Sequence, residues 1–408
     1  MRRIICIGSL LLALAGCTSF DDRTPYADEL LALSIRAVWP EGYEAYARDG
    51  VRVTAREFSS GNSYVAVTDG EGRVRFEMPR GIYRIAIADR ADGAVFNGAL
   101  EEVRLVAGAL DLSLPLVYSK AGSIVFKEIY CGGCPMLPFE GTLQNDQYFV
   151  LHNNDTETQY LDGICFGNVD PFTSAGTNGW VTTGEDGQLV FRDFAPVNVC
   201  VWQFGGSGRD FPLAPGEDAV VAVRGAVDFT TEFPLSVDLN REAYFACFSR
   251  LHFSNESLHL SPGDRIRSSH ILSILKKVGT STAFTIAMQS PAMVIFRPEA
   301  GFDFDAYLAD DSRCLERAPG STLDCIKIPW EWVLDGVEVF YSTNNNKRIP
   351  PAVDAGAFTF SVTGQGHSIH RLLDEEATAQ NGFEVFADTN NSSEDFYERT
   401  TASLHASL

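Results

Sequence analysis

Apolar and polar residues alternate with a period of two along much of this chain. In the first third, Val51–Ala55, Tyr64–Thr68, Arg73–Met78 and Ile82–Ile87 each alternate, and Val74, Phe76 and Met78 fall on one face. Glycine-bearing turns separate them, at Asp69-Gly70-Glu71-Gly72 and Pro79-Arg80-Gly81. Such short alternating runs at this spacing predict a β-sandwich over residues 33–118. A second series begins at Ser123–Tyr130 and continues through Asp146–Asn154 and Gln159–Gly163 to Phe386–Phe396. It predicts a second, larger sandwich over 120–408 with long insertions, so the expected fold class is all-β. Residues 175–187 and 253–282 are polar and Gly/Ser-rich and are expected to be loops, with one or two helical turns at Ser269–Lys277. Trp330-Glu331-Trp332 reads as alternate aromatics on a strand, and it and Trp202 with Phe204 are expected to pack the core and its rim, with stacking on sugars or flat ligands as the alternative.

The opening residues have a different pattern. Arg2-Arg3 precedes an apolar run, Ile4–Leu14, that ends in Leu14-Ala15-Gly16-Cys17. A membrane-spanning helix needs roughly 20 apolar residues, so residues 1–16 read as a secretory leader. The small residues before Cys17 form a lipobox, which predicts that the mature chain starts at a lipidated Cys17. Asp21 and Asp22 then lie in an acidic tether, 17–32, and the pair resembles the surface-export signal of Bacteroidota lipoproteins, which implies the outer cell surface over the periplasmic face. The formal net charge is −22 over 408 residues, and loss of the leader removes Arg2 and Arg3 as well. So acidic a surface repels phosphate backbones and anionic headgroups. Nucleic-acid binding is therefore excluded from the expectation, and membrane contact is assigned to the lipid.

Particular segments also carry resemblances. Val65–Ile87, with Thr68-Asp69 leading a turn, Phe76 in the next strand and Pro79-Arg80-Gly81-Ile82-Tyr83 after it, resembles the carboxypeptidase-regulatory-like and Cna-B-like prealbumin sandwiches. That resemblance implies a spacer or docking module. The order Lys127-Glu128-Ile129, Tyr148–Asn153, Leu161-Asp162-Gly163 and Asp388-Thr389-Asn390-Asn391-Ser392 with Asp395-Phe396 resembles the immunoglobulin-like lamin-tail domain. This chain departs from that pattern at Val150, where many lamin-tail domains carry glutamate. With the leader, the whole resembles an uncharacterised Bacteroidota lipoprotein family whose members accompany TonB-dependent outer-membrane transport systems. The resemblance implies an accessory role in uptake and no assigned chemistry.

No catalytic constellation emerges from the residues. Seven cysteines follow Cys17. Cys314 with Cys325, and Cys131 with Cys134, are the disulfide candidates for an oxidising compartment. A redox or zinc role for Cys131-Gly132-Gly133-Cys134 lacks the following helix or a second ligand pair. Asp388, Asn390, Ser392 and Glu394 alternate as in calcium loops, but Ser393 occupies the glycine position and Arg399 the closing glutamate position. A structural turn is the preferred reading, with a cation site second. His367 and His370 fall on opposite faces of a strand, and Gly205-Gly206-Ser207-Gly208 lacks the context of a nucleophile elbow. No cofactor is expected. The expected function is an envelope-anchored, non-enzymatic binding or docking component. A structural or adhesive lipoprotein is the first alternative. A hydrolase whose Asp146, Asp162 and Asp388 converge in space is the second.

Overall fold

The computed structural model describes residues 30–405 apart from 48, 92–93, 121, 186 and 342–344. The leader, Cys17 and residues 18–29 lie outside the described residues. The architecture is nearly all β, at 39% strand and 8% helix.

Strands between 31 and 120 form two facing sheets. The smaller holds Arg73–Met78, Leu31–Val38 and Leu110–Pro115, with Leu31–Val38 in the middle. The larger runs Ser63–Val67, Arg52–Glu57, Gly81–Ala91, Ala94–Leu105 and Val117–Lys120. Burial follows the alternation residue by residue: Val74, Phe76 and Met78 are buried while Arg73, Arg75 and Glu77 face water. Asp69 fixes the preceding turn, its Oδ1 accepting the backbone N–H groups of Glu71 (2.9 Å) and Arg73 (2.8 Å). Gly72 is required there, because φ is +73° and a Cβ would strike the Trp39 ring.

The remaining chain builds a six-stranded sheet against a larger one. The first has the order Phe245–Ala246, Asp218–Ala222, Tyr148–Asn153, Ile124–Tyr130, Ser368–Arg371 and Phe396–Arg399. The second runs Leu315–Arg317, Asp324–Pro329, Phe194–Gln203, Cys165–Val169, Ala292–Phe296, Val333–Phe340 and Phe358–Thr359, and Ser273–Lys277 also pairs with Phe194–Gln203. Phe126, Phe149, Leu151 and Ile369 from one sheet meet Phe166, Trp202, Met293 and Val337 from the other in a common core. The rings meet edge to face, as at Phe149–Phe166 (5.0 Å).

The insertions explain why Tyr148–Asn153 and Ala292–Phe296 are buried at every position. Residues 226–239 and Ala402 cover the outer face of the six-stranded sheet. Phe304, Leu308, Ile349 and Val353 cover the outer face of the larger one. Strands buried on both faces lose their alternation. Three local expectations are corrected here. Residues 253–282 contain a strand, Ser273–Lys277, and Ser269–Lys277 is not helical beyond the 3₁₀ turn Ser268–His270. Trp330–Trp332 is a 3₁₀ turn, not a strand. Its packing role stands, since Trp332 is buried against Phe302, Phe304 and Tyr307.

The first sandwich touches the second at the 388–395 loop. Arg84 donates to Ser393 Oγ (2.7 Å) and Ala355 O (2.8 Å), and Thr54 Oγ1 donates to Glu394 (3.4 Å).

Candidate functional site

The loop singled out as a possible cation site surrounds an arginine. Arg371 ends a central strand and is 1% exposed. Its Nη2 lies 2.7 Å from Asp335, and its Nη1 lies 3.3 Å from both Asp388 and Asp395. It also donates to the carbonyls of Phe126 (2.8 Å) and Ala387 (2.9 Å). Burial opposes its charge, but the three carboxylates outweigh that and raise its pKa. Burial pushes Asp335 and Asp395 up to about 7, against the pull of Arg371.

The four cation candidates therefore face different partners. Asp388 accepts from Gly122 N (2.6 Å) and Arg371. Ser392 Oγ donates to Asp354 (2.6 Å), and Glu394 turns toward Thr54 and the arginines of the first sandwich. Asn390 takes φ +51° to make the bend. Of the four, Asp388 meets the Arg371 guanidinium, which it shares with Asp335 and Asp395. Among the described residues, no group of three His, Cys, Asp or Glu side chains is placed to hold a metal.

His370, one residue earlier, points to the opposite face and into a cavity of about 430 Å³. The cavity lies on the outer face of the six-stranded sheet. Its floor contains two cross-strand pairs, Val150 with Val220 and His370 with Tyr397. Leu373, Glu384 and Phe386 form one wall, and Ser403 and Leu404 another. The second wall is pinned by buried Glu128, which accepts from Ser403 N (2.9 Å), Ser368 Oγ (2.6 Å) and Tyr148 Oη (3.1 Å).

Most of the lining charge is balanced. Lys127, thrown outward by a bulge, pairs with Asp218 (2.7 Å) and Glu384 (3.3 Å). Asp218 also contacts His152 Nδ1 (2.6 Å). Burial alone would raise the pKa of Asp218, but hydrogen bonds from His152 and Lys127 hold it low. Burial lowers the pKa of His370, which leaves its ring neutral at pH 7. Arg399 lines the same space and makes no ion pair among the described residues. The cavity thus presents one unbalanced guanidinium beside Tyr397, Phe386 and His370. Patterning gave no signal for it, because its residues come from strands, a loop and the C-terminal segment.

The disulfide expectation is overturned. Cys131, Cys134, Cys165, Cys200, Cys247, Cys314 and Cys325 are all free and buried. Cys131 belongs to the inter-sheet core, whereas Cys134 packs with Leu143 and Phe233. Cys314 packs under the larger sheet, whereas Cys325 lies against Trp180 and Phe194. Closeness in sequence did not bring either pair of sulfurs to one side. Burial raises the thiol pKa values, to about 12 for Cys131, Cys134 and Cys165, so the reactive thiolate is suppressed. A thiol reagent is expected to leave these seven unmodified in the native chain and to titrate all seven after denaturation without reductant. Fewer than seven under the second condition would restore a disulfide.

Asp146, Asp162 and Asp388 do not share a site. Asp146 accepts from Tyr130 (3.1 Å) and Ser236 (2.9 Å). Asp162 takes the backbone N–H groups of Gly208, Asp210 and Phe211, which makes Gly205–Gly208 an anchored loop. His367 pairs with Glu398 (2.6 Å), away from His370.

Residues 214–403 match the family model described as "Protein of unknown function (DUF4876)". The DUF4876 match includes Asp218, His370, Arg371, Glu384 and Arg399 but not Lys127 or Val150. A solved DUF4876 family protein from Bacteroides thetaiotaomicron VPI-5482 is similar to this chain at a TM-score of 0.56. The two are 24% identical, over 90% of this chain and 94% of that one, so the likeness is one of fold. The Bacillus anthracis TIE protein aligns over 46% of this chain and 32% of its own, at 12% identity and a TM-score of 0.16, too low to compare folds. No curated protein matches the chain.

Proposed function

We propose that the mature chain is a lipid-anchored, non-catalytic binding protein of the cell envelope, and that it serves a TonB-dependent uptake system. The leader and lipobox support the anchoring, with lipid on Cys17 as the membrane contact. The sheet-face cavity carries the binding role. It combines one uncompensated guanidinium with three rings and an aliphatic floor, while its other ionic groups neutralise one another. That arrangement suits a small amphipathic anion, whose carboxylate or phosphate takes the fork of Arg399. Its apolar body would lie on Val150, Val220, Leu373 and Leu404.

Native mass spectrometry on the mature lipoprotein, purified in mild detergent, tests this reading. The wild-type protein is expected to retain a small anion that Arg399→Gln loses, and to co-purify with an outer-membrane barrel. The absence of both a retained ligand and a barrel partner would contradict it and would favour the structural or adhesive role.

A further inference from the structure

The larger sheet forks in the middle of one strand. On one side of Phe194–Gln203, residues 194–197 pair with 326–329, and residues 200–203 pair with 273–277. Asn198 and Val199 lie at the split, opposite an irregularity in the pairing with Cys165–Val169. Val199 takes φ +62°, a conformation that β-branched residues rarely adopt. The two diverging segments, 278–285 and 323–325, line a cavity of about 300 Å³ at the split.

Two of its polar side chains, Asp170 and Asn198, offer acceptor oxygens. Asp170 Oδ1 accepts from Asn198 Nδ2 (3.2 Å), and its Oδ2 accepts from Trp180 Nε1 (2.9 Å). Both donors are neutral, and Asp170 makes no ion pair among the described residues. Asn198 is 9% exposed, lines the cavity and leaves its carbonyl oxygen without a hydrogen bond. Asn168, its cross-strand partner, also leaves its carbonyl oxygen without a hydrogen bond, outside the cavity lining. Nearby cations are engaged elsewhere. Arg317 holds Asp324 (2.6 Å), and Lys277 donates to Gly279 O (3.2 Å). The remaining lining mixes the hydroxyl residues Thr280, Ser281 and Thr285 with apolar Val199, Val278, Ala283 and Leu323, and half-exposed Phe172 lies at the edge.

We propose that this fork is a second binding site, separate from the sheet-face cavity, and that it takes a small organic ammonium. The –NH₃⁺ group donates to Asp170 and to the Asn198 carbonyl, and the ring of Phe172 adds a face for the cation. The alkyl chain lies along Val199, Val278 and Leu323. A bare calcium ion is a poorer fit, since it takes 6–8 oxygen ligands. One of the two lining carboxylates is already held by Arg317, and half the wall is hydrocarbon.

Calorimetric titration of the full mature chain in mild detergent tests this with n-butylammonium chloride, against n-butanol, sodium butyrate and calcium chloride. Saturable binding of n-butylammonium is expected, with n-butanol weaker by about tenfold or more, because the charge-assisted bonds are lost. Asp170→Asn is expected to weaken n-butylammonium by a similar factor, and Arg399→Gln to leave it unchanged. Ala283→Trp fills the cavity from a half-exposed loop without touching the hydrogen bonds of Asp170. It is expected to abolish binding, and it decides the matter if Asp170→Asn does not fold. Equal binding of n-butanol, binding of calcium in place of the amine, undiminished binding to Ala283→Trp, or no saturable binding would overturn the proposal.

Discussion

Arg371→Met is expected to destabilise the chain by about 3–5 kcal/mol, the usual cost of removing one partner from a buried ionic cluster. Methionine keeps much of the side-chain volume, so the loss comes from charge. Asp335, Asp388 and Asp395 would remain within the fold at 1–2% side-chain exposure without a counter-ion. A domain is stable by only about 5–15 kcal/mol, so the variant would stand close to unfolding, and urea denaturation would show it. The defect should also depend on pH. Asp335 and Asp395 have folded-state pKa values raised to about 7. Their contribution to stability is full below the unfolded value near 4 and is lost as pH rises through about 7. Without Arg371 both values rise further. The variant should therefore be closest to wild type near pH 5 and worst at pH 8. Adding Asp335→Asn and Asp395→Asn should recover part of the loss at pH 8. A defect that is flat with pH, and is not rescued by these changes, would mean that Arg371 acts through packing alone.

Cys17→Ala is expected to move essentially all of the chain out of the membrane fraction. Each buried methylene contributes about 0.8 kcal/mol, and two or more acyl chains make a lipid anchor stable. Among the described residues, no helix is long and apolar enough to cross a membrane. The formal charge of −22 also gives an anionic headgroup no reason to hold the protein. Fractionation followed by an alkaline wash reads the outcome. Wild-type chain should stay with the envelopes and Cys17→Ala should not.

The fold was legible wherever one face of a strand is wet. Arg73–Met78 could be read position by position because charged residues separate its buried ones. Ile124–Tyr130 and Tyr148–Asn153 gave away their existence but not their surroundings, since both faces are covered and the alternation that marks a face disappears. The ionic centres were illegible for a related reason. Arg371 finds Asp335 36 residues away and Asp388 on another loop, and Glu338 receives Lys347 (2.6 Å) and Arg348 (3.0 Å) across a turn, deep inside. Nothing local marks an aspartate in a polar loop as the partner of a distant arginine. The calcium-like spacing from Asp388 to Glu394 marked a polar turn but not its partners, since Asp388 meets Arg371 while Ser392 and Glu394 turn to Asp354 and Thr54. The cysteine pairs misled because spacing reports separation along the chain, whereas bonding depends on which side of a sheet each sulfur occupies. Both cavities escaped notice because each is a meeting place of segments far apart in sequence.

The most direct measurement is the intact mass of the N-terminal peptide from the envelope-bound chain. A peptide that begins at Cys17 and carries two or three acyl chains is the expected result. A peptide that begins elsewhere, or one in which Cys17 bears an unmodified thiol, would contradict the anchored binding protein described above.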